Sequence, residues 1–407
     1  MGTAPAPRVH ICNRFYFPDN SATAQIAADL GRDLVARGWT VIAHASRHPY
    51  ADGPVLPLRE QIDGVDIRRL RAANVGRHSG WGRAVDYLSY HIAIFVRLVV
   101  SLRGGDIVIC KTDPPMLSVT IAIAAALRGA KLVHWLQDLF PEVADSMLPR
   151  AITRLLSGAR NWSLRRGQSA VAIGELMADK LARIGLPRDA ITTIPNWADA
   201  DIHPVARETN PARRAWGLTP DIFTISYSGN LGFAHDFATM LAAAEKLRDA
   251  PRFQFLMIGG GAGMRALEGE VAARALPNIR FLPYQPRDAL SQSLGAGDVH
   301  WLSLRPAMEG LIVPSKLYGI IAAHRPFIFV GDGTGEVARF IAAHGGGTVV
   351  AEGDGDAMAA AITRLADDAA HYARMTDENA AAAQIYAKPS ALAKWDGLLR
   401  RVAAGGG

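Results

Sequence analysis

A short segment in the second half of the chain, residues 305–319, gathers residue types that could bind a phosphorylated sugar. It joins an apolar run, predicted to be a strand, to a predicted helix that begins at Ser315. The amides of that helix terminus and the ammonium group of Lys316 are suited to a diphosphate, and the carboxylate of Glu309 is suited to sugar hydroxyls. A capped helix with a solvated lysine and glutamate would look the same, so other segments have to support this interpretation.

Two glycine-containing loops precede this segment, and each follows a predicted strand directly. The first contains Gly229 and Asn230, and the second is the run 259–263, which opens a predicted helix. Glycine lets a backbone approach a ligand closely, and a glycine loop between a strand and a helix is the context in which phosphates bind. Each loop alone is a weak signal, whereas two at corresponding strand ends favour a phosphate-bearing ligand.

The first half of the chain offers two further candidates. Asn20 or Ser21 can cap the helix predicted to begin at Ala22, and the amides there could bind a phosphate or a sugar hydroxyl, although a plain helix cap explains the same residues. Asp138 follows another predicted strand, and its carboxylate is a candidate for orienting a substrate group or for balancing cationic character. It could also cap a helix at Leu139.

The elements that must position these residues alternate between strand and helix patterns. In the first half we predict strands at residues 9–13, 40–45, 65–70, 106–110, 131–136, 169–173 and 191–194. In the second half we predict strands at residues 223–228, 253–258, 279–282, 299–303, 327–330 and 347–350. Such alternation is typical of α/β domains with parallel sheets covered on both faces, and parallel sheets bind ligands at the carboxyl ends of their strands.

Length and composition agree with two domains. A chain of 407 residues is too long for one ordinary core, and 49% hydrophobic residues suffice for two. The strand–helix pattern ends near residue 198 and restarts at residue 223. We therefore predict one domain over residues 1–198 and a second over residues 199–385.

The net charge of +6 suggests attraction to an anionic partner, such as a membrane surface or a phosphate-bearing substrate. Many arginines lie in the first half, but zinc-finger spacing and an RNP-type strand are both absent from the sequence, so nucleic acid is not a predicted partner. The two cysteines, Cys12 and Cys110, lie in apolar runs and form neither a disulfide framework nor a zinc pattern. We therefore expect the protein to lie in the reducing cytoplasm. The sequence shows no signal-peptide pattern.

Two predicted helices, at residues 84–102 and 152–164, are apolar enough to raise the question of membrane contact. The first is nearly long enough to span a bilayer, but it carries Asp86, His91 and Arg97, so we do not predict a transmembrane span. The second mixes apolar residues with arginines. Either helix belongs to the core or lies on a bilayer surface.

Four motifs resemble, in order and spacing, those of the large family 4 of retaining glycosyltransferases. They are Ile-Pro-Asn-Trp-Ala-Asp (194–199), Ser-Gly-Asn-Leu-Gly (228–232), Ile-Gly-Gly-Gly (258–261) and Val-Pro-Ser-Lys-Leu-Tyr (313–318). Residues 17–22 and 135–142 are similar to the bacterial branch that builds capsule, exopolysaccharide and O-antigen, including the fucosamine transferases. The resemblance covers essentially the whole chain.

This resemblance implies a GT-B fold, in which two Rossmann-like domains face each other across a cleft. The first domain would bind the acceptor and the second the nucleotide-sugar donor, which is expected to be a UDP-sugar, without a metal. The last helix, residues 386–407, would cross back to the first domain. The implied acceptor is a saccharide on a polyprenyl diphosphate carrier, reached by peripheral association with the inner face of the cytoplasmic membrane.

The resemblance also implies roles for individual residues. Gly229 and Asn230 would meet the phosphates, and Tyr284 and Gln285 would line the base pocket. The sugar and diphosphate would be held by the 305–319 segment. Together with the second glycine loop, the predicted donor site consists of Gly229, Asn230, Gly260, Tyr284, Gln285, Glu309, Gly310, Pro314, Ser315 and Lys316.

Three positions depart from the family pattern. Gly319 stands where a second glutamate usually falls, which puts ribose recognition by a carboxylate in doubt. His235 is the only basic residue where the family often has an arginine and a lysine, so we expect Lys316 to carry more of the phosphate binding. Gln137 replaces the histidine of a common His-Asp pair and cannot act as a base.

Two alternatives to a transferase stay open. A non-hydrolysing sugar-nucleotide epimerase shares the two-domain architecture but needs acid and base residues that the sequence does not supply. A non-catalytic partner in a polysaccharide assembly complex would fit the departure at Gly319. For a transferase, retention through front-face attack requires mainly electrostatic stabilisation of the departing diphosphate, since no carboxylate pair for double displacement is visible.

Overall fold

The computed structural model of the chain describes residues 7–19, 21–50, 53–76 and 80–405. It divides into two compact units, each with its own sheet. Unit 1 consists of Met1–Pro195 and Ala391–Gly407, and unit 2 consists of Asn196–Ser390.

Unit 1 is built on an eight-stranded sheet in the order β3-β4-β2-β1-β5-β6-β7-β8. Its strands are β1 (Val9–Cys12), β2 (Val41–Ser46), β3 (Arg59–Ile62), β4 (Val65–Leu70), β5 (Ile107–Cys110), β6 (Lys131–Trp135), β7 (Ser169–Ala172) and β8 (Ile191–Thr193). The helices are α1 (Ala22–Ala36), α2 (Gly80–Ser101), α3 (Leu117–Arg128), α4 (Arg150–Leu164) and α5 (Glu175–Arg183). All neighbouring strands are parallel except β3, which runs antiparallel to β4.

The central strands of this sheet are apolar on both faces because helices cover both sides. Every residue of β1 and of β5 is buried, and the two strands pair with Val9 opposite Ile107. The strand β3 was not predicted from the sequence. Its residues, Arg-Glu-Gln-Ile, alternate between exposed and half-buried positions at the sheet edge, so they carry no apolar pattern.

The two apolar helices of unit 1 each combine a packed face with an exposed one. By length and composition alone, α2 is long and apolar enough to cross a membrane. Its buried residues are Gly82, Asp86, Tyr90, Ile94 and Leu98, which form one stripe against the sheet. The described part of α4 buries only Arg160, Ser163 and Leu164. Neither helix is therefore a fully buried core helix.

Unit 2 is built on a six-stranded, wholly parallel sheet in the order β11-β10-β9-β12-β13-β14. Its strands are β9 (Phe223–Asn230), β10 (Phe253–Gly260), β11 (Ile279–Leu282), β12 (Val299–Ser303), β13 (Phe327–Val330) and β14 (Gly347–Val350). Its helices are α6 (Pro211–Ala215), α7 (Ala238–Lys246), α8 (Ala262–Ala273), α9 (Leu290–Ala296), α10 (Lys316–Ala322), α11 (Glu336–His344), α12 (Gly355–Asp367) and α13 (Ala369–Ile385). The prediction of two Rossmann-like α/β domains is confirmed.

The last helix, α14 (Lys388–Ala404), starts in the chain segment of unit 2 and continues into unit 1. Its Trp395 is fully buried and packs against Trp135 of β6, with ring centroids 4.7 Å apart. The Nζ atom of Lys131 donates hydrogen bonds to the carbonyl oxygens of Val402 and Ala403, at 2.7 and 2.8 Å. The end of the chain is thus an integral part of unit 1.

Candidate functional site

In unit 2 the strand order changes direction between β9 and β12. The chain runs from β9 outward through β10 to β11 and then returns to the other side of β9. Loops that leave two such neighbouring strands diverge, and the crevice between them is where open parallel sheets bind ligands. Gly229 and Asn230 end β9, while Glu309 and Lys316 follow β12. The topology therefore brings these four predicted residues to one edge of the sheet.

Three glycines at this edge adopt backbone conformations that favour glycine. The φ angles are +128° at Gly229, +128° at Gly259 and +114° at Gly261. A Cβ atom on Gly259 would lie 2.2 Å from the carbonyl oxygen of Gly229, and one on Gly261 would lie 2.2 Å from Oδ1 of Asn230. The two glycine loops thus pack against each other so closely that neither position has room for a side chain.

Lys316 brings a positive charge to the first of these loops. Its Cε atom lies 2.9 Å from the position that a Cβ on Gly229 would occupy. Its Nζ atom lies 5.0 Å from the ring centroid of Tyr227. Burial lowers the pKa of Lys316 to about 8. The ammonium form therefore predominates at neutral pH but is poorly hydrated, which suits a group that binds an anion.

His235 is the hydrogen-bond partner of Lys316. Nζ of Lys316 lies 3.3 Å from Nε2 of His235, whose Nδ1 lies 2.6 Å from the carbonyl oxygen of Ser303. Because a carbonyl oxygen only accepts, Nδ1 carries the proton and Nε2 accepts from the ammonium group. Burial, with the charge of Lys316 beside it, lowers the pKa of His235 to about 4. The neutral imidazole therefore orients Lys316 without adding charge.

Glu309 is buried, and its carboxylate lies at the N-terminus of α11. Its Oε2 accepts a hydrogen bond from the backbone N–H of Glu336 at 3.0 Å, and a Cβ on Gly335 would lie 2.2 Å from Oε1. A carboxylate at a helix N-terminus is electrostatically favourable. Glu309 therefore joins the segment after β12 to α11, and its contact with sugar hydroxyls stays a prediction.

The remaining predicted residues of this segment lead into α10. Gly310 has a φ angle of +69°, and Pro314 is buried. Ser315 is exposed and precedes α10, which begins at Lys316, one residue later than predicted. Among the described residues the hydroxyl of Ser315 makes no capping hydrogen bond to the helix.

Tyr284 and Gln285 follow the neighbouring strand β11. The Tyr284 side chain is exposed, and its Cε2 lies 3.1 Å from the position of a Cβ on Gly260. The amide Nε2 of Gln285 donates to the carbonyl oxygen of Pro283 at 2.8 Å. The tyrosine ring beside Gly260 offers an apolar face on which a nucleobase could stack, whereas the amide group of Gln285 is engaged with its own loop.

In unit 1 the strand order changes direction between β1 and β5. Of the two residues predicted after β1, Asn20 lies outside the described residues. Ser21 occupies the N-cap position of α1, and its backbone N–H donates to Oδ1 of Asp19 at 2.8 Å. In the described part of the chain the Ser21 hydroxyl caps no helix amide, so side-chain capping does not explain this residue.

Asp138 lies in the loop after β6, which neighbours β5. Burial raises the pKa of Asp138 to about 6, against the opposing effects of a hydrogen bond from Thr112 and the charge of Lys111. Helical structure after this loop first appears at Glu142–Met147, so among the described residues no helix begins at Leu139. Capping at Leu139 is therefore not the role of Asp138.

Lys111 directly follows β5 and was not predicted from the sequence. Its side chain is buried, and its Nζ lies 3.7 Å from the ring centroid of Trp135. Within the described ranges Nζ has no hydrogen-bond partner. Burial lowers the pKa of Lys111 to about 7. A lysine directly after an apolar strand was the available signal, and a buried lysine with a perturbed pKa beside Asp138 is a functional candidate.

The two units thus supply two separate sets of residues. Unit 2 brings together a glycine-lined backbone edge, Lys316 and His235, and unit 1 brings Asp138 close to Lys111. Over the residues described, no three His, Cys, Asp or Glu side chains are grouped as metal ligands. Whether the site works without a metal stays a prediction.

Each unit matches one family model. A model described as "Glycosyl transferase 4-like domain" matches residues 21–197, and one described as "Glycosyl transferases group 1" matches residues 222–368. Together the two matches account for most of the chain, in the order that the resemblance implied.

Two curated proteins are similar in sequence. The colanic acid biosynthesis glycosyl transferase WcaI of Escherichia coli (strain K12) is 29% identical over 211 residues, which are 49% of this chain and 51% of WcaI. The glycosyltransferase WbjE of Pseudomonas aeruginosa is 28% identical over 284 residues, 67% of this chain and 69% of WbjE. The chain therefore aligns with about half the length of WcaI and about two thirds of WbjE.

Several solved structures share the fold along nearly the whole chain. Sucrose-phosphate synthase from Thermosynechococcus elongatus has a TM-score of 0.77 at 16% identity, over 98% of this chain and all of that one. Anabaena Alr3699/HepE in complex with UDP-glucose has a TM-score of 0.72 at 14% identity, over 97% of this chain and 99% of that one. At these identities the likeness is one of fold.

Proposed function

Because the chain belongs to glycosyltransferase family 4, with the GT-B fold and relatives in bacterial polysaccharide biosynthesis, we propose that it transfers a sugar with retention from a nucleotide-sugar donor. The acceptor is a saccharide carried on a polyprenyl diphosphate. The product enters cell-surface polysaccharide biosynthesis, and transfer takes place at the inner face of the cytoplasmic membrane. No metal takes part.

The position of Lys316 is the observation that carries this proposal. Its ammonium group lies at the switch point of the unit 2 sheet, against Gly229 and hydrogen-bonded to His235. When a donor loses its sugar, negative charge develops on the leaving diphosphate, and preorganised donors stabilise it best. Lys316 and the backbone amides of the β9 loop supply such donors, and neutral His235 orients the ammonium group.

A uridine nucleotide is the proposed donor carrier. HepE, which shares the fold, has been solved with UDP-glucose. In this chain the exposed Tyr284 ring beside Gly260 provides a stacking surface next to the glycine loops. The sugar itself is recognised in the loops that follow β12, where Glu309 contributes the nearby carboxylate.

Asp138 and Lys111 are the proposed acceptor-side residues in unit 1. With a pKa of about 6, Asp138 is mostly ionised above neutral pH and can accept a hydrogen bond from an acceptor hydroxyl. Retention by front-face attack requires no separate strong base, which agrees with glutamine at position 137.

The proposal is tested by incubating the purified protein with a panel of nucleotide sugars and a polyprenyl diphosphate-linked acceptor. Mass spectrometry should detect an acceptor extended by one sugar, with the anomeric configuration of the donor retained. Conversion of a donor without any acceptor would instead identify an epimerase. Nucleotide-sugar binding with no transfer to any lipid-linked acceptor would favour a non-catalytic partner.

A further inference from the structure

The outer face of α2 is a continuous apolar stripe. Large apolar side chains recur there at every third or fourth position, namely Trp81, Val85, Leu88, Ile92, Val96 and Val100. In the middle of the stripe, Leu88, Ile92 and Val96 are 62%, 59% and 55% exposed. The outer face of a helix on a globular domain is normally polar, so this face has the composition of a buried surface.

The opposite face of α2 is hydrogen-bonded to other segments of unit 1. The carboxylate of Asp86 accepts a hydrogen bond from the backbone N–H of Val75 at 2.7 Å. The hydroxyl of Tyr90 donates to the carbonyl oxygen of Asn13 at 3.0 Å. Crossing a membrane would break these contacts, whereas lying in the plane of a membrane surface leaves them intact.

Two neighbouring helices extend the apolar face. His91 of α2 hydrogen-bonds to Thr120 of α3 at 2.7 Å, and Ser163 of α4 hydrogen-bonds to Ser118 of α3 at 2.8 Å. The exposed large apolar residues of α3 and α4 are Ile123, Leu127, Ile152, Leu155 and Trp162. We call the exposed side of α2, α3 and α4 the three-helix surface.

The charges around the three-helix surface are almost all positive. Between residues 80 and 166, Asp145 is the one described acidic residue that is exposed. The exposed basic residues of the same stretch are Arg83, Arg97, Arg103, Arg128, Arg150, Arg154, Arg165 and Arg166. Apolar side chains mixed with arginines complement the acyl boundary and the anionic headgroups of a phospholipid bilayer.

A second copy of the chain is a poorer occupant of this surface. A twofold interface places the same patch on both partners. It would therefore bring the two sets of arginines together, and like charges across an interface disfavour association. Charge complementarity thus selects an anionic bilayer.

We propose that the three-helix surface docks unit 1 onto an anionic phospholipid bilayer, with α2 lying in the headgroup–acyl boundary. This inference deepens the proposed function and rests on it for the membrane-borne acceptor. Binding to lipid requires neither donor nor acceptor, so it can be measured independently of transfer.

The test is flotation of the full chain with vesicles of phosphatidylcholine containing phosphatidylglycerol, compared with phosphatidylcholine alone. The wild-type chain should float with the anionic vesicles at ~0.1 M salt and be partly released at ~1 M salt. The triple variant Leu88→Gln/Ile92→Gln/Val96→Gln should lower the partition coefficient by about tenfold or more, because three apolar anchors are lost.

The matched control replaces three exposed apolar residues elsewhere, as Val55→Gln/Leu58→Gln/Ile385→Gln, and should bind vesicles like the wild type. Because the α2 variant could fold poorly, Arg97→Glu/Arg154→Glu is measured as well and should lose binding to anionic vesicles only. Transfer to a water-soluble acceptor should survive in all variants. Undiminished vesicle binding by the α2 and arginine variants would overturn the inference, as would a concentration-dependent dimer that the α2 variant abolishes.

Discussion

At the scale of single residues, burial tunes the charged groups of the candidate site. The pKa of Lys316 is lowered to about 8 and that of His235 to about 4, in both cases chiefly by burial. Between these values the pair holds one positive charge, located on Lys316. A diphosphate that binds there meets a cation with little hydration to lose.

We expect the affinity for UDP to depend on this charge. As pH rises from about 7 to about 9.5, Lys316 loses its proton in the free protein, so the affinity should fall by about tenfold. Lys316→Met should bind UDP about tenfold or more weakly at neutral pH, with a flat pH profile in this range. Isothermal titration calorimetry at several pH values measures both effects.

Lys316→Arg is the control for this experiment, because arginine stays charged throughout the range. Its UDP affinity should show little of the alkaline decrease. If Lys316→Met bound UDP with wild-type affinity, or kept the wild-type pH dependence, Lys316 would not be the diphosphate partner.

Asp138 and Lys111 of unit 1 show opposite responses to burial. The pKa of Asp138 is raised to about 6 and that of Lys111 is lowered to about 7, because burial disfavours the charged form of each. Two buried charged side chains with shifted pKa values, next to a sheet switch point, make this pair a candidate for the proposed acceptor site.

At the scale of elements, the proposed donor site depends on how closely the carboxyl ends of β9 and β10 approach each other. The penultimate residues of the two strands, Gly229 and Gly259, are glycines with positive φ angles, and their backbone atoms lie in close contact. A strand that ends in this way leaves its backbone uncovered by a side chain, so a ligand can approach it closely. The glycines therefore shape the proposed donor site.

We predict that Gly261→Ala disrupts the packing between the loops that follow β9 and β10. A Cβ there would lie 2.2 Å from Oδ1 of Asn230 and 2.7 Å from the carbonyl oxygen of Leu231, and the φ angle of +114° is strained for alanine. The substitution should lower the free energy of unfolding of unit 2 by about 1–3 kcal/mol and weaken UDP binding. Urea unfolding and calorimetry measure the two effects.

Gly269→Ala, within helix α8, which Gly261 immediately precedes, is the control. Nothing lies within 4 Å of the new Cβ, and Gly269 is exposed. Since alanine is the better helix former, stability should rise by about 0.5–1 kcal/mol with unchanged UDP binding. If Gly261→Ala and Gly269→Ala had the same effects on the free energy of unfolding and on UDP binding, the role given to Gly261 would be contradicted.

Strand β3 and helix α13 lack a strong apolar pattern, and neither is predicted from the sequence. The helix α13 is rich in alanine, and only Met375, Asn379 and Ala382 are buried. Asn379 fixes it by donating to the carbonyl oxygens of Arg325 and Gly346, both at 2.8 Å. Such an attachment depends on partners far along the chain, so local periodicity does not reveal it.

At the scale of the whole molecule, the last helix packs in unit 1 against residues from the first part of the chain. Trp39 near the start donates through Nε1 to Oδ1 of Asp396 at 2.8 Å, and Trp395 packs on Trp135. Because the ring of Trp135 also lies against Nζ of Lys111, the last helix supports one of the proposed acceptor-side residues.

We expect Trp395→Ala to lower the free energy of unfolding of unit 1 by about 3–5 kcal/mol, because a large fully buried side chain is removed. Lys394→Ala, at the exposed neighbouring position, should change it by less than about 0.5 kcal/mol. Calorimetric scans should show a shift in the transition of unit 1 only. A shift of the unit 2 transition by the same amount would contradict this assignment of α14.

The sequence by itself determined the two series of strands and helices and the glycine-rich strand ends. Both depend on local periodicity and on the backbone freedom of glycine, which neighbours in the chain reveal. Only the tertiary structure decided that Lys316 pairs with His235, that Glu309 binds the start of α11 and that Lys111 is buried beside Asp138. It also decided that α2 exposes an apolar face. The burial of these side chains and their contacts with residues far along the chain arise from tertiary packing, which local sequence patterns do not encode.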